Sequence, residues 1–319
     1  MNSVLVIRGG AIGDFILTLP AIKLLRDQFP QAKIEIIGYP QIIVLAENRF
    51  YADAIHSIES RLLTNFFSDD AILPLEAKEF FAGFDLIVSY VSDPNNVFQH
   101  NLKRCGIKLF LTGSPKLNGS EHAAVQLARP LEEIGLHLKN PAARIYPNAS
   151  DREFVRDFLA GAEEKIIGLH PGSGSAAKNW PIAKWKTLGE YFLSNNYTVL
   201  VIAGEADEEP VRSLESAWNT KQVRFARNLA LPHLAALLEG RLFVGHDSGI
   251  SHLAAAVGAQ SILLFGPTDP AIWAPANENV TVLRAPGGNL RLLTANQVIE
   301  TIDNLATADS RRPSVGRMS

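Results

Sequence analysis

The sequence predicts an α/β protein of two doubly wound units, each a parallel sheet with helices on both faces. Short apolar runs alternate with amphipathic stretches at helical spacing along the chain, the pattern of strand-helix-strand units. That pattern restarts once, because Val4–Ile7 and Ile166–Leu169 each open a strand that runs into a glycine-containing loop. A length of 319 residues also exceeds what a single hydrophobic core usually organises.

The elements follow in order. SVLVIR (3–8), KIEIIGY (33–39), AIHSIE (54–59), LIVSYV (86–91) and KLFLT (108–112) read as the strands of the first unit. KIIGLHP (165–171), TVLVIAG (198–204), LFVGHD (242–247), SILLFG (261–266) and VTVLRA (280–285) read as those of the second. Helix-like segments lie at 18–29, 121–135, 151–161, 182–195, 210–218, 231–240 and 251–258. HLKNPAARIYPNAS, with two prolines and no periodicity, reads as a linker near residues 138–150. The expected boundaries are 1–148 and 149–306, followed by a loose, solvated tail at 307–319. In open sheets of this kind ligands bind beyond the carboxyl ends of the strands, so two facing units create a cleft.

Composition narrows the function classes. Net charge is −3, and neither half is basic, with 14 basic against 15 acidic residues in 1–150 and 16 against 18 in 151–319. Nucleic acid is therefore not an expected partner. One cysteine, Cys105, excludes an internal disulfide and a cysteine zinc cluster and fits a reducing cytoplasm. MNSVLVIRGGAIGDF lacks the basic start of a signal peptide, and no apolar run has the length of a membrane span.

Four strand-end loops carry candidate chemistry. In IRGGAIGDFILTLPAIKLL, glycines 9, 10 and 13 allow close approach of a ligand to the backbone, and Asp14 opens a helix-like run. Taken alone, Asp14 reads first as a helix cap, and the spacing is not that of a dinucleotide fingerprint. GLHPGSGSAAKNWP places Ser173, Gly174, Ser175 and Lys178 where a phosphate or diphosphate would fit; a tight turn with a solvated lysine is the alternative. In VIAGEADEEPV, Glu205 or Asp207 would meet ribose hydroxyls, or simply form an acidic first helical turn. GHDSGISHLAAAVG brings Asp247, Ser248, Gly249 and His252 to the start of a small-residue helix, where His252 also reads as a core residue, and FGPTDP follows the next strand. All four loops leave carboxyl ends of strands, and their convergence is what favours function.

Taken in order, GAIGDFILTLPAI, HPGSGSAAKNWP and GHDSGISHLAAAVG…LLFGPTDP resemble the glycosyltransferase family 9 heptosyltransferases over most of residues 3–305. The resemblance implies a GT-B fold of two Rossmann-like domains facing across a cleft, with the acceptor on the first and the nucleotide-sugar on the second. It implies an inverting, metal-independent transfer of heptose from ADP-heptose to a lipopolysaccharide inner-core acceptor of the lipid A–Kdo type. The absence of a D-x-D triplet from the sequence agrees with metal independence. No cofactor is expected, since the ADP-sugar is a co-substrate.

Carried onto this chain, Asp14 becomes the general base and Lys178 the counter-charge to the diphosphate. Ser173, Gly174 and Ser175 surround that diphosphate, and Gly13 of the first loop is a further substrate-binding residue. Ser248 and Gly249 offer a helix N-terminus to phosphate, Asp247 faces the sugar or a phosphate-binding partner, His252 orients Asp247 or reaches the donor, and Glu205 or Asp207 contacts ribose. The lipid-linked acceptor implies a cytoplasmic protein that meets the inner membrane transiently as a peripheral partner. The two Phe pairs of LLTNFFSDDAILPLEAKEFFAGF (62–84) are expected to be buried in the first unit. Two alternatives remain: a related transferase using another nucleotide-sugar, and a GT-B-like sugar-nucleotide epimerase. The first loop departs from the family in carrying Gly9-Gly10 where many members have serines. After GPTDP comes AIWAPANE, in place of an arginine and a Pro-Tyr-Gly turn.

Overall fold

The computed structural model describes residues 1–69, 72–117, 119–162, 164–204 and 208–310. Two parallel sheets lie on either side of an extended segment at 140–148. The first contains β1 (Ser3–Ile7), β2 (Lys33–Gly38), β3 (Ala54–Ser57), β4 (Leu86–Ser89) and β5 (Phe110–Thr112), in the order β3-β2-β1-β4-β5. The second contains β6 (Ile166–Leu169), β7 (Thr198–Ala203), β8 (Val223–Arg227), β9 (Leu242–His246), β10 (Gln260–Phe265) and β11 (Val280–Arg284), in the order β11-β10-β9-β6-β7-β8. All pairings within the two sheets are parallel. Val4–Ile7 and Val199–Ile202 are at most 1% exposed, as expected of strands covered on both faces.

Each sheet reverses its winding once, between β1 and β4 in the first and between β6 and β9 in the second. At such switch points neighbouring loops diverge and leave a crevice. The loops after β1 and β4 therefore form one crevice, and those after β6 and β9 form the other.

Among the described residues, ten of the eleven strands lie where the periodicity puts them. The exception is β8, an edge strand whose alternation is diluted by Arg224 and Arg227. The first helix, Ile12–Gln28, begins six residues before the expected start, because the chain turns helical at the Ala11 cap and takes Gly13 and Asp14 into its first turn. The final helix, Ala295–Ser310, was not expected and carries the chain past 306, so the expected tail is helical as far as Ser310. Residues 311–319 lie outside the described residues. That helix starts with a reciprocal cap: Gln297 N donates to Thr294 Oγ1 (3.2 Å) and Thr294 N donates to Gln297 Oε1 (2.8 Å).

The connecting segment is tied to both sides. Tyr51 Oη donates to Arg144 O (2.6 Å), Arg49 pairs with Asp151 through two nitrogens, and Ile145 N donates to Ala256 O (3.0 Å). A single apolar core runs through the seam, joining the helices Ile12–Gln28 and Ala123–Ala128 to Leu231–Leu238 and Gly249–Ala256. The Phe pairs of 62–84 divide: Phe66 and Phe81 are buried, whereas Phe67 is 47% exposed.

Candidate active site

The crevice of the second sheet is built on the loops after β6 and β9. His246, the last residue of β9, is fully buried and clasps the preceding loop at both ends. Its Nε2 accepts from Trp180 N (2.8 Å), so Nδ1 carries the proton and donates to Gly172 O (3.2 Å). The imidazole thus holds residues 172–180 in a closed arc, with Trp185 edge-on to it at 5.3 Å.

Within that arc Ser173 turns its hydroxyl inward, donating to Asn179 Oδ1 (2.6 Å) or Ser175 O (2.9 Å) and accepting from Ser175 N (3.3 Å). It shapes the loop, while exposed Gly174 and Ser175 form its outer face. Replacing His246 by Leu leaves a buried Trp180 N–H and Gly172 carbonyl without that partner, at about 1–3 kcal/mol each. His246→Leu is expected to lower the thermal midpoint. His246→Gln, which keeps an acceptor for Trp180, should recover part of that loss in scanning calorimetry.

Lys178 and Asp247, 69 residues apart, meet at 2.6 Å between Nζ and Oδ2. Thr268 Oγ1 donates to the same oxygen (2.8 Å), bringing the GPTDP turn into the site. Asp247 is accordingly held by a lysine and a threonine, without a hydrogen bond from His252. Ser248 caps the helix Gly249–Ala256, accepting from Ser251 N (3.4 Å), and its hydroxyl lies 3.3 Å from His170 Nδ1.

A cavity of about 680 Å³ opens beside His170 and Ser248; Lys178, Asp247 and Thr268 are not part of its lining. One end is polar, formed by His170, Ser173, Gly174, Ser248 and Gly249. The other is an apolar slot that includes Ile202, Ala226, Leu231 and Leu234. Ala11, Ile12, Gln41 and Ile42 close it from the first half, so the cavity lies between the halves. Its wall includes Gly204; Glu205 and Asp207, expected at the ribose, lie outside the described residues.

Asp14 stands across the seam in the first turn of Ile12–Gln28. Its Oδ2 accepts from Ala11 N (2.9 Å), the capping role, and its Oδ1 lies 3.4 Å from Arg8 Nη2. Arg8 is 3% exposed; Thr18 Oγ1 accepts from its Nε (3.1 Å), and Tyr90 lies against its guanidinium. Burial draws the Arg8 pKa down and the nearby Asp14 carboxylate opposes that shift. Gly10 has φ +102°, and a β-carbon there would sit 2.8 Å from Asp14 Oδ2, so this approach requires glycine. A cavity of about 320 Å³ faces Asp14, lined also by Phe67, Tyr90 and Ser92.

Two helix N-termini meet where the halves touch. A β-carbon on Gly249 would lie 2.7 Å from Ile12 Cβ and 2.9 Å from Gly13 N, so glycine permits the contact. Gly13 approaches His252, whose Cδ2 is 3.4 Å from the β-carbon position. His252 is 6% exposed, and its pKa is lowered to about 4, chiefly by burial. Asp247 and Asp14 oppose that shift, while His122 and Lys178 reinforce it. The imidazole therefore stands within electrostatic reach of both aspartates and is neutral at neutral pH.

Unfolding restores an ordinary histidine pKa, so the unfolded chain binds the extra proton first. His252 contributes its full stability above about pH 6.5 and loses it as pH falls towards about 4. Relative to His252→Gln, the wild type is expected to lose on the order of 3 kcal/mol across that window in denaturant titrations. Equal pH dependence in the two proteins would contradict this burial.

Arg8, His170, His246 and Thr268 are the site residues that the motif reading did not assign. Arg8 and His246 share one sequence signal: each is a polar residue directly after, or at the end of, an otherwise apolar buried strand.

Two parallel α/β halves that meet along a seam, with a helix N-terminus of the second half packed on the first turn of Ile12–Gln28, are the arrangement of the GT-B fold. The family model described as glycosyltransferase family 9 (heptosyltransferase) matches residues 107–302, more than half of the chain. The chain belongs to that family and is a glycosyltransferase. It is 26% identical to lipopolysaccharide heptosyltransferase 3 of Escherichia coli, over 95% of this chain and 97% of that protein. Its fold is similar to a family 9 glycosyl transferase from Veillonella parvula, with TM-score 0.81, 21% identity, and 96% and 97% of the two chains covered. It is similar also to the E. coli ADP-heptose lipopolysaccharide heptosyltransferase II, with TM-score 0.77, 18% identity, and 97% and 100% covered.

Proposed function

We propose that this protein transfers heptose, with inversion and without a metal ion, from ADP-heptose to a saccharide of the lipopolysaccharide inner core. Residues 1–148 hold the acceptor and residues 149–306 the donor. The observation that carries this reading is the cavity of about 680 Å³ between the halves, whose polar end is formed by His170, Ser173, Gly174 and the helix start at Ser248–Gly249; Asp14 lies on the first half and the Lys178–Asp247 pair on the second. The apolar slot suits a nucleobase. The diphosphate then lies at Gly174, Ser175 and the helix start at Ser248–Gly249, beside Lys178.

In the reaction, Asp14 takes the proton of the acceptor hydroxyl as its oxygen attacks the anomeric carbon. The bond from that carbon to the ADP oxygen breaks on the opposite side, and Lys178 and the helix terminus meet the charge that leaves with ADP. Attack and departure on opposite faces invert the anomeric centre. Charge neutralisation by a lysine and helix N-termini supports a reaction that proceeds in the presence of a chelator. Among the described residues no helix is long and apolar enough to cross a membrane. A cytoplasmic protein that meets a lipid-linked acceptor transiently at the inner-membrane surface fits exposed Phe67, which lines the Asp14 cavity.

Calorimetric titration with ADP, UDP, GDP and CDP, with chelator present, tests the donor. Selective ADP binding is expected. A preference for UDP or GDP would move the donor to another sugar nucleotide, and no binding of any nucleotide would overturn the assignment of the cavity.

A further inference from the structure

The cavity facing Asp14 continues into a second one. A furrow of about 330 Å³ runs along the carboxyl ends of β4 and β5 and shares Val91, Ser92 and Pro115 with it. From its lining we infer that the furrow receives a neutral, hydroxyl-bearing sugar unit of the acceptor and disfavours an acidic one. This inference rests on the reading of the Asp14 cavity as the acceptor side and adds the chemical class of the sugar bound there.

Three features carry it. The furrow is lined by the hydroxyl residues Ser92 and Thr112 and by Gln99, groups that exchange hydrogen bonds with a polyol, while the Ser114 hydroxyl is engaged by the Lys116 backbone. Phe110 is only partly buried and borders the furrow as an apolar surface for the carbon face of a sugar ring. Asp93 fixes the charge. Its two carboxylate oxygens accept from Phe98 N (3.1 Å) and Gln99 N (2.9 Å), so the group is anchored where it lines the furrow.

Among the described residues that line the two cavities, the charged ones are Arg8, Asp14 and Asp93. The Arg8 charge is already matched, because it is buried against Asp14 at 3.4 Å. The combined site therefore carries a net negative charge. A sugar carboxylate placed there would meet like charge, whereas neutral hydroxyls donate readily to carboxylate oxygens.

The test uses the full chain, ADP-heptose and two inner-core oligosaccharides alike except at the end to be extended. One ends in a neutral heptose and the other in a 3-deoxy-2-ulosonic acid. The neutral acceptor is expected to show a kcat/KM at least about tenfold higher. Gln99→Ala and Thr112→Val should raise KM for it several-fold with kcat within about twofold. Asp93→Asn, which keeps an oxygen for the helix start, should narrow the discrimination. Preference for the acidic acceptor, or unchanged KM in both Gln99→Ala and Thr112→Val, would overturn the inference while leaving the transfer reaction intact. Turnover of neither acceptor by a protein that binds ADP-heptose would overturn the proposed function, and the inference with it.

Discussion

Asp14→Ala and Asp14→Asn are both expected to lower heptosyl transfer by about 10²–10⁴-fold, the usual contribution of a positioned general base, with ADP affinity changed by no more than a few-fold. The two variants separate chemistry from scaffolding. Asp14 accepts from Ala11 N and stands beside buried Arg8, so alanine removes a cap and leaves Arg8 without its carboxylate. Alanine is therefore expected to cost stability as well as activity. Asparagine still offers an oxygen to Ala11 N but takes no proton at neutral pH. Its thermal midpoint should fall less than that of alanine, because the cap oxygen stays and only the charge beside buried Arg8 is removed, while transfer is lost. Single-turnover transfer and thermal unfolding measured together check the split. Transfer by Asp14→Asn within tenfold of wild type would remove Asp14 as the base.

Lys178→Ala is expected to reduce transfer by about 10²–10³-fold and weaken ADP binding at least tenfold. The loss exceeds that of one contact because Lys178 pairs with Asp247 at 2.6 Å. Without the ammonium, Asp247 is left with Thr268, and on the proposed placement of the donor its negative charge would repel the diphosphate. The double variant Lys178→Ala/Asp247→Asn should therefore bind ADP more tightly than Lys178→Ala alone. A double-mutant cycle by calorimetry measures that coupling. Additive losses would mean that the pair does not act as a unit at the donor site.

Much of the architecture is legible because it is local. The apolar runs Val4–Ile7 and Ile166–Leu169 and the loops that follow them announce two units, and Asp14 lies at a helix start that the flanking glycines mark. The periodicity places the start at 18 rather than at Ile12, because it registers only after Gly13 and Asp14. β8 was missed for the opposite reason, since two arginines on an edge strand mask its alternation. The helix Ala295–Ser310 carried a readable signal in Thr294 and Gln297, spaced as a reciprocal cap.

The Lys178–Asp247–Thr268 group is different. It depends on β6 lying next to β9, a neighbour relation set by sheet order rather than by sequence order. Nothing near Lys178 in sequence names its carboxylate. The inward turn of the Ser173 hydroxyl and the two-ended clasp of His246 likewise follow from the closed arc of residues 172–180, which only the folded chain displays.

The central claim is transfer from ADP-heptose with Asp14 as base and inversion at the anomeric carbon. The most direct measurement combines wild type and Asp14→Asn with ADP-heptose, a heptose-acceptor oligosaccharide and a chelator, followed by mass spectrometry and proton NMR of the product. Wild type is expected to add one heptose in the anomeric configuration opposite to that of the donor, and Asp14→Asn to add essentially none. A product that retains the donor configuration, or equal product from both proteins, would contradict the account.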